Sequence, residues 1–397
     1  MRKEITLGQI GKCGGGVFQV ELEGTTLEDY ESYLTTLENI GFTKYVDNGS
    51  NGLHKSVWNA TYTKDDLVVT VIHMVKRNRT YISVGRDAPP SKHLFYQDEY
   101  VAGNREGAKT RLHMPELHTY GDSFIIQLKN GNYILDDGGM PADVLYLLDY
   151  LEELTPEGQK PIIEGWFISH GHGDHLGALV MFEEQPELAE RIFVEGVYFS
   201  EPEINGETVQ QGIRGVQNCR TVSGEVPHIY RPQTGQRYYF NDITIDVLHT
   251  QEQLPREDYC NGFNDSSTWL LYTIEGQKFL HGGDAGRGSI EVVKDTYEQG
   301  FFDFDIMASF HHGQNIYETY VDYFKYKTVL YTTFIIGSQT ANWHTEDNRR
   351  MQENAEECMS WGDGTKILTF PYEVATAQSL PMREWIYHPG REEPRLY

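Results

Sequence analysis

Three histidines and an aspartate stand within six residues at the end of an apolar run: His170, His172, Asp174 and His175, in the stretch WFISHGHGDHLGA from Trp166 to Ala178. The preceding PIIEGWFIS reads as a buried strand and the following DHLGALVMFEEQ as a helix, so the cluster falls at a strand-to-helix turn. In extended backbone, side chains two apart point the same way, which lets His170 and His172 reach one metal ion. Asp174 and His175 fall where the helix opens, and Asp174 is also placed to cap it. Gly171 and Gly173 keep side chains from crowding the ions. Two ligand pairs facing different directions suit two metals about 3.5–4 Å apart.

The rest of the chain supplies the frame for such a turn. At 397 residues it exceeds one ordinary hydrophobic core, and 39% apolar with 23% charged residues marks a globular chain. LEDYESYLTTLENI has helical spacing with Gly41 as its stop. SVWNATYTKDD and LVVTVIHMVKRNRTYISVG are enriched in β-branched and aromatic residues, as in paired antiparallel strands. Residues 1–112 therefore read as a small α+β domain, and nothing in them names a role. After Pro89-Pro90 and a polar, glycine-bearing stretch, the grammar changes over residues 113–397. SFIIQLKNGNYILDDGG is a hairpin with an Asn-Gly turn, VLYLLDYLEEL a helix, RIFVEGVYF through QKFLHGGD mostly strand, and the remainder alternating helix and strand. This pattern predicts an α/β fold of packed sheets with helices covering both outsides.

Composition narrows the partners. The formal charge is −26, from 59 acidic against 33 basic residues, and no dense Lys/Arg run is present. Nucleic acid is therefore not expected as a bulk ligand, because binding its backbone leans on clustered cations. No segment approaches the ~20 apolar residues that span a bilayer, so no membrane partner is expected. Cys13, Cys219, Cys260 and Cys358 lack CxxC spacing, which argues against a disulfide framework or a thiolate zinc site and suits a reducing cytoplasm.

HGHGDHLGA resembles the HxHxDH signature of the metallo-β-lactamase fold superfamily, and the resemblance extends in order from about residue 113. It implies an αββα sandwich holding two divalent metal ions, zinc first, with manganese or iron also compatible with nitrogen and oxygen donors. The family's strand ending in Asp-x-Gly is matched by ILDDGG, which puts Asp136 in the role of orienting the ligands from behind. Its metal-bridging aspartate is matched by Asp284 in KFLHGGDAG, and its later histidine ligand by His312 in DIMASFHHGQN. His311 is then free to transfer a proton.

The His-His-Gly pair, with NDSSTWLLYTIEGQKFLHGGD, is similar to the branch containing the hydrolase domain of bacterial competence DNA-uptake proteins and the phosphorylcholine esterases. That likeness implies a phosphoester substrate. His344 sits where this branch often has another histidine beside the site, and with Asp174 and His311 it completes the candidate catalytic groups. His113 and His118 read as structural or exposed.

One motif departs from the family. Where a third-motif histidine is expected the chain has CNGFNDSS, with Asn261, Asn264 and Asp265. His249, upstream at the end of ITIDVLH, is one candidate for the missing ligand, Asn264 or Asp265 another, and water a third. The implied function is hydrolysis of a small or cell-envelope-type phosphodiester by a metal-activated water. The same chemistry would open a lactone or thioester, and the altered third motif leaves room for a metal-binding sensory or scaffold protein without turnover.

Overall fold

The computed structural model describes residues 6–13, 16–49, 55–97, 103–117, 121–200, 206–253, 264–314, 318–333 and 346–381. Its first part is an antiparallel six-stranded sheet in the spatial order Thr6–Cys13, Val17–Glu23, Arg79–Gly85, Leu67–Met74, Val57–Lys64 and Thr43–Asp47. The run expected to form one strand after the Lys-Asp-Asp turn is two, because Val75–Asn78 turns the chain and Asn78 adopts a φ of 53°.

The helix Leu27–Asn39 begins in a reciprocal cap, with Thr26 Oγ1 accepting from the Asp29 amide and Asp29 accepting from the Thr26 amide. Its Tyr30, Leu34 and Leu37 bury against Ala60, Tyr62, Val69, Val71 and Ile82 on one face of the sheet. Alternation sends Val57, Ile72, Met74 and Tyr81 to the other face, where they share a core with Leu248, Trp269 and Leu280 of the following part. Asn59 Nδ2 seals this junction by donating to the Thr234 carbonyl at 2.9 Å.

The larger part is built on two mixed sheets. One has nine strands and holds Tyr133–Asp136 and Ile162–Ile168 as parallel neighbours at its centre. The other has seven, in the order Arg237–Phe240, Ile243–His249, Trp269–Ile274, Gln277–His281, Asp303–Ala308, Lys325–Tyr331 and Glu357–Ser360. Along Trp269–Ile274, Leu270, Tyr272 and Ile274 join the core shared with the nine-stranded sheet, whereas Trp269 and Leu271 pack with Ile290 and Val293 of the helix Arg287–Thr296.

The nine-stranded sheet shows the same division. Phe167 meets Tyr238 and Phe240 of the facing sheet, while Trp166 meets Phe182 of the helix Gly173–Glu184. Period-two alternation thus produces four layers, helix, sheet, sheet, helix, and each large side chain so buried contributes about 1.5–3 kcal/mol. Two features were not expected from the sequence: the helix Glu207–Val216, and the pairing of Lys366–Thr369 with Arg111–Met114, which brings the chain's two distant segments side by side. No helix among the described residues is long and apolar enough to cross a membrane.

Candidate metal centre

The parallel strand Ile162–Ile168 is followed by Ser169, and the next helix starts at Gly173 with His172 at its N-cap. Its backbone is held close to the Asp137–Met140 loop. A Cβ on Gly177 would lie 2.2 Å from the Gly139 carbonyl oxygen, so only glycine allows the Gly177 amide to reach that oxygen at 2.9 Å. Gly173 carries no such demand from the protein itself, since a Cβ there meets only Thr208 at 3.8 Å. His172 makes no side-chain cap and Asp174 points instead toward His312, which corrects the capping expectation.

From the other sheet, Gln277–His281 leads to Asp284 through Gly283, which has a φ of 51° and leaves no room for a Cβ beside Ser169. The adjacent parallel strand Asp303–Ala308 leads to His311 and His312. These segments converge on the Asp284 carboxylate. Its Oδ1 lies 3.2 Å from His175 Nε2 and 3.3 Å from His312 Nε2, and Asp174 Oδ2 is 3.3 Å from the same His312 nitrogen. Its Oδ2 lies 3.7 Å from His170 Nε2 and 3.5 Å from His311 Nε2, while His170 Nε2 and His172 Nδ1 are 3.0 Å apart. Two sets of donor atoms result, Asp174, His175, Asp284 and His312 in one, His170, His172 and Asp284 in the other, with Asp284 common to both.

The chemistry of these atoms fits a divalent cation. His175 Nε2, His312 Nε2 and Asp284 Oδ1 are buried without a hydrogen-bond partner, an arrangement that is costly unless something positive sits among them. Two ligands about 2.0–2.1 Å from a tetrahedral ion lie about 3.3–3.5 Å apart, the separation seen around Asp284 and longer than a good hydrogen bond. Three of the imidazoles are also engaged at the far nitrogen. His175 Nδ1 donates to Asp137 Oδ2 at 2.7 Å, while His170 Nδ1 lies 3.0 Å from Ser169 Oγ and His312 Nδ1 3.0 Å from Thr332 Oγ1. For His175 the carboxylate keeps the proton on Nδ1 and leaves Nε2 to face the site.

Without an ion, the two sets hold protons differently. Burial depresses His175, but Asp284, Asp137 and Asp174 outweigh it and hold the imidazole well above its ordinary pKa. His312 is raised against burial by Asp284 and Asp174. His170 is held well below the ordinary value by burial and then by His175, and His172 is lowered by burial.

The residue that braces His175 is Asp137, not Asp136 as expected. Adjacent residues leaving a strand point to opposite faces, and Asp137, at a φ of 60°, turns toward the ligand helix and also accepts from the Ser169 amide at 2.8 Å and hydroxyl at 2.6 Å. Asp136 faces between the sheets, where it accepts from Tyr272 Oη and His281 Nδ1, each at 2.8 Å. His281 Nε2 in turn lies 3.3 Å from Asp122 Oδ2, and both carboxylates hold this buried imidazole well above its usual pKa despite desolvation.

His249 does not join either set of donor atoms. A register shift between Val247 and His249 pairs it with Trp269, so it shares the outward face and packs edge-on against that indole. Burial lowers its pKa to about 3. Asp265 is spent on the amide of Ser289 in the helix Arg287–Thr296. His113 is buried with Nδ1 2.7 Å from Tyr150 Oη, in the core. Asn261, His118 and His344 lie outside the described residues. Of the groups that sequence reading missed, His281 carried a signal: it shares the inward face of its strand with Phe279, a place where an ionisable group needs a partner.

Residues 118–315 match the family model described as the metallo-beta-lactamase superfamily. The chain is similar to a solved Cronobacter sakazakii metallo-beta-lactamase with a HARLDQ motif, at 16% identity over 47% of this chain and 69% of that one, with a TM-score of 0.29. It is also similar to a metal-dependent hydrolase of the beta-lactamase superfamily, at 11% identity over 64% of this chain and 98% of that one, with a TM-score of 0.39. No curated protein matches it.

Proposed function

We propose, for a chain that carries a metallo-β-lactamase superfamily domain over residues 118–315, that it is a hydrolase working with two divalent ions, zinc first, on a small phosphodiester. The observation that carries the two-ion reading is the division of Asp284, whose two oxygens each face a different set of imidazoles. Asp174, His175 and His312 would hold one ion with Asp284, and His170 and His172 the other. Bound there, the ions would lower the pKa of a water toward ~7 and offset negative charge developing on the ester. The protein's own part is to keep the donors in place through Asp137, Ser169 and Thr332, and to bury the donors on His170, His175, His312 and Asp284 from competing water.

The preference for a small ester rests on charge. A formal −26 opposes a polyanion, whereas a single phosphate meets mainly the local field of the ions, since distant charges are screened beyond ~8–10 Å. The likeness of the His311-His312-Gly313 and Asn264–Asp284 stretches to the competence and phosphorylcholine esterase branch supports a phosphodiester within that class.

The test pairs elemental analysis of the purified protein with a panel of phosphomonoester, phosphodiester, lactone, thioester and duplex DNA at matched salt. Close to two ions per chain and fastest turnover of a small phosphodiester are expected. Faster cleavage of DNA than of every small ester would refute the charge argument, and fastest turnover of the lactone or thioester would move the substrate class. Two bound ions with no turnover on the panel would favour the sensory reading, for which the displaced His249 is the specific feature.

A further inference from the structure

The two donor sets around Asp284 are unequal. The Oδ1 side has three further protein donors, Asp174, His175 and His312, enough for a tetrahedral ion. The Oδ2 side has His170 and His172, and no third-motif histidine joins them because His249 faces outward with Trp269. On that same Oδ2 side, outside the set formed by His170, His172 and Asp284, stands His311, whose Nε2 is 3.5 Å from the oxygen, beside the 3.7 Å of His170. A neutral or charged imidazole using Asp284 as a hydrogen-bond acceptor would come nearer, to about 2.7–3.0 Å. The spacing observed is that of two donors sharing an ion.

The backbone explains how two consecutive histidines reach opposite oxygens of one carboxylate. His311 and His312 both adopt left-handed conformations, with φ of 52° and 55°, uncommon outside glycine although histidine, asparagine and aspartate take them more often than other residues. The His311 amide donates to the Gly283 carbonyl at 3.1 Å, tying this turn to the residue before Asp284. Such a conformation persists only where the surroundings impose it. The ring keeps 24% of its side chain exposed.

We infer that His311 is a ligand of the ion held by His170 and His172, taking the place of the histidine missing from the third motif. This rests on the two-ion reading above, and it replaces the proton-transfer role that the sequence suggested for His311. A ligand nitrogen must present its lone pair to the ion and so has no proton to give.

The test is metal binding by the full chain. After equilibrium dialysis against zinc, and separately cobalt(II), the wild-type protein should hold close to two ions. The His311→Asn variant is chosen because asparagine accepts the left-handed backbone while its amide is a poor ligand for these ions. It should hold one ion tightly and bind the other ~10²-fold more weakly or worse, with the cobalt visible spectrum losing the component that His170→Ala also removes. His170→Ala with His311→Asn together should lose no further ion. Two tightly bound ions and an unchanged cobalt spectrum in His311→Asn would overturn the inference while leaving the two-ion reading intact. Fewer than two ions in the wild type would overturn that reading and the inference with it.

Discussion

Asp137, and not its neighbour Asp136, holds His175 in place, and Asp137→Asn isolates this role, because the amide is isosteric and asparagine tolerates the φ of 60° at this position. The carboxylate accepts three hydrogen bonds, from the Ser169 amide at 2.8 Å, the Ser169 hydroxyl at 2.6 Å and His175 Nδ1 at 2.7 Å. An amide has one acceptor oxygen. If it keeps His175, its NH2 faces the Ser169 N–H, two donors opposed in a fully buried site. Leaving that amide unsatisfied costs about 1–3 kcal/mol of stability. The remaining bond to His175 also loses its charge, so the imidazole becomes a weaker ligand. Changes to such supporting groups cost about 10–100-fold in metal affinity, or about 1.4–2.8 kcal/mol. Competition with a chromophoric chelator reads the affinity and urea unfolding of the metal-free protein reads the stability. Asp136→Asn is the control, since Asp136 touches Tyr272 and His281 and not a donor to the site. It should lower stability and change metal affinity less than ~3-fold, below the range typical of ligand-supporting groups. An Asp137→Asn protein whose metal affinity matches wild type, or an Asp136→Asn protein that loses more, would refute the assignment.

Two further outcomes follow from the same geometry. Because Asp136 and Asp122 outweigh burial and raise His281 in the folded state, its contribution to stability is complete below its unfolded pKa of about 6.5 and is lost as pH rises through the folded value. Metal-free protein should therefore lose stability in urea as pH rises above about 6.5, with a shallower loss in His281→Gln, and an equal slope in both would remove His281 as the cause. His249→Ala should retain the wild-type metal content by elemental analysis, because its imidazole belongs to neither donor set; depletion in this variant would return it to the centre.

Much of this architecture was legible because period and punctuation speak locally. The helix Val144–Leu154, the strand Ile162–Ile168 and the turn between that strand and the helix Gly173–Glu184 lie where apolar spacing and glycines put them. The same alternation explains why His170 and His172 converge and why His281 faces inward. What could not be read are relations between segments far apart in the chain. The pairing of Lys366–Thr369 with Arg111–Met114 leaves no mark in either short strand, and the two acids of ILDDGG are indistinguishable until the strand's end decides which one faces the ligands.

The third motif is the sharpest case of that limit, and it has a geometric cause. Asp284 follows the strand Gln277–His281, and His311 and His312 follow Asp303–Ala308, its immediate parallel neighbour, so these ligands start one strand spacing apart, about 4.8 Å. Ile243–His249 lies two strands from Gln277–His281 in the opposite direction, about 10 Å away, with Trp269–Ile274 between them. From there a histidine reaches the centre only if it faces inward. The register shift after Val247 is a single unpaired residue, invisible in composition, and it places His249 beside Trp269 on the helix-covered side. With Leu248 paired to Trp269 in ordinary alternation, His249 would instead share the inner face with Val247. A chain that gave up its distant histidine in this way would need a donor from the nearer strand, and the one that the neighbouring strand supplies on the Oδ2 side of Asp284 is His311.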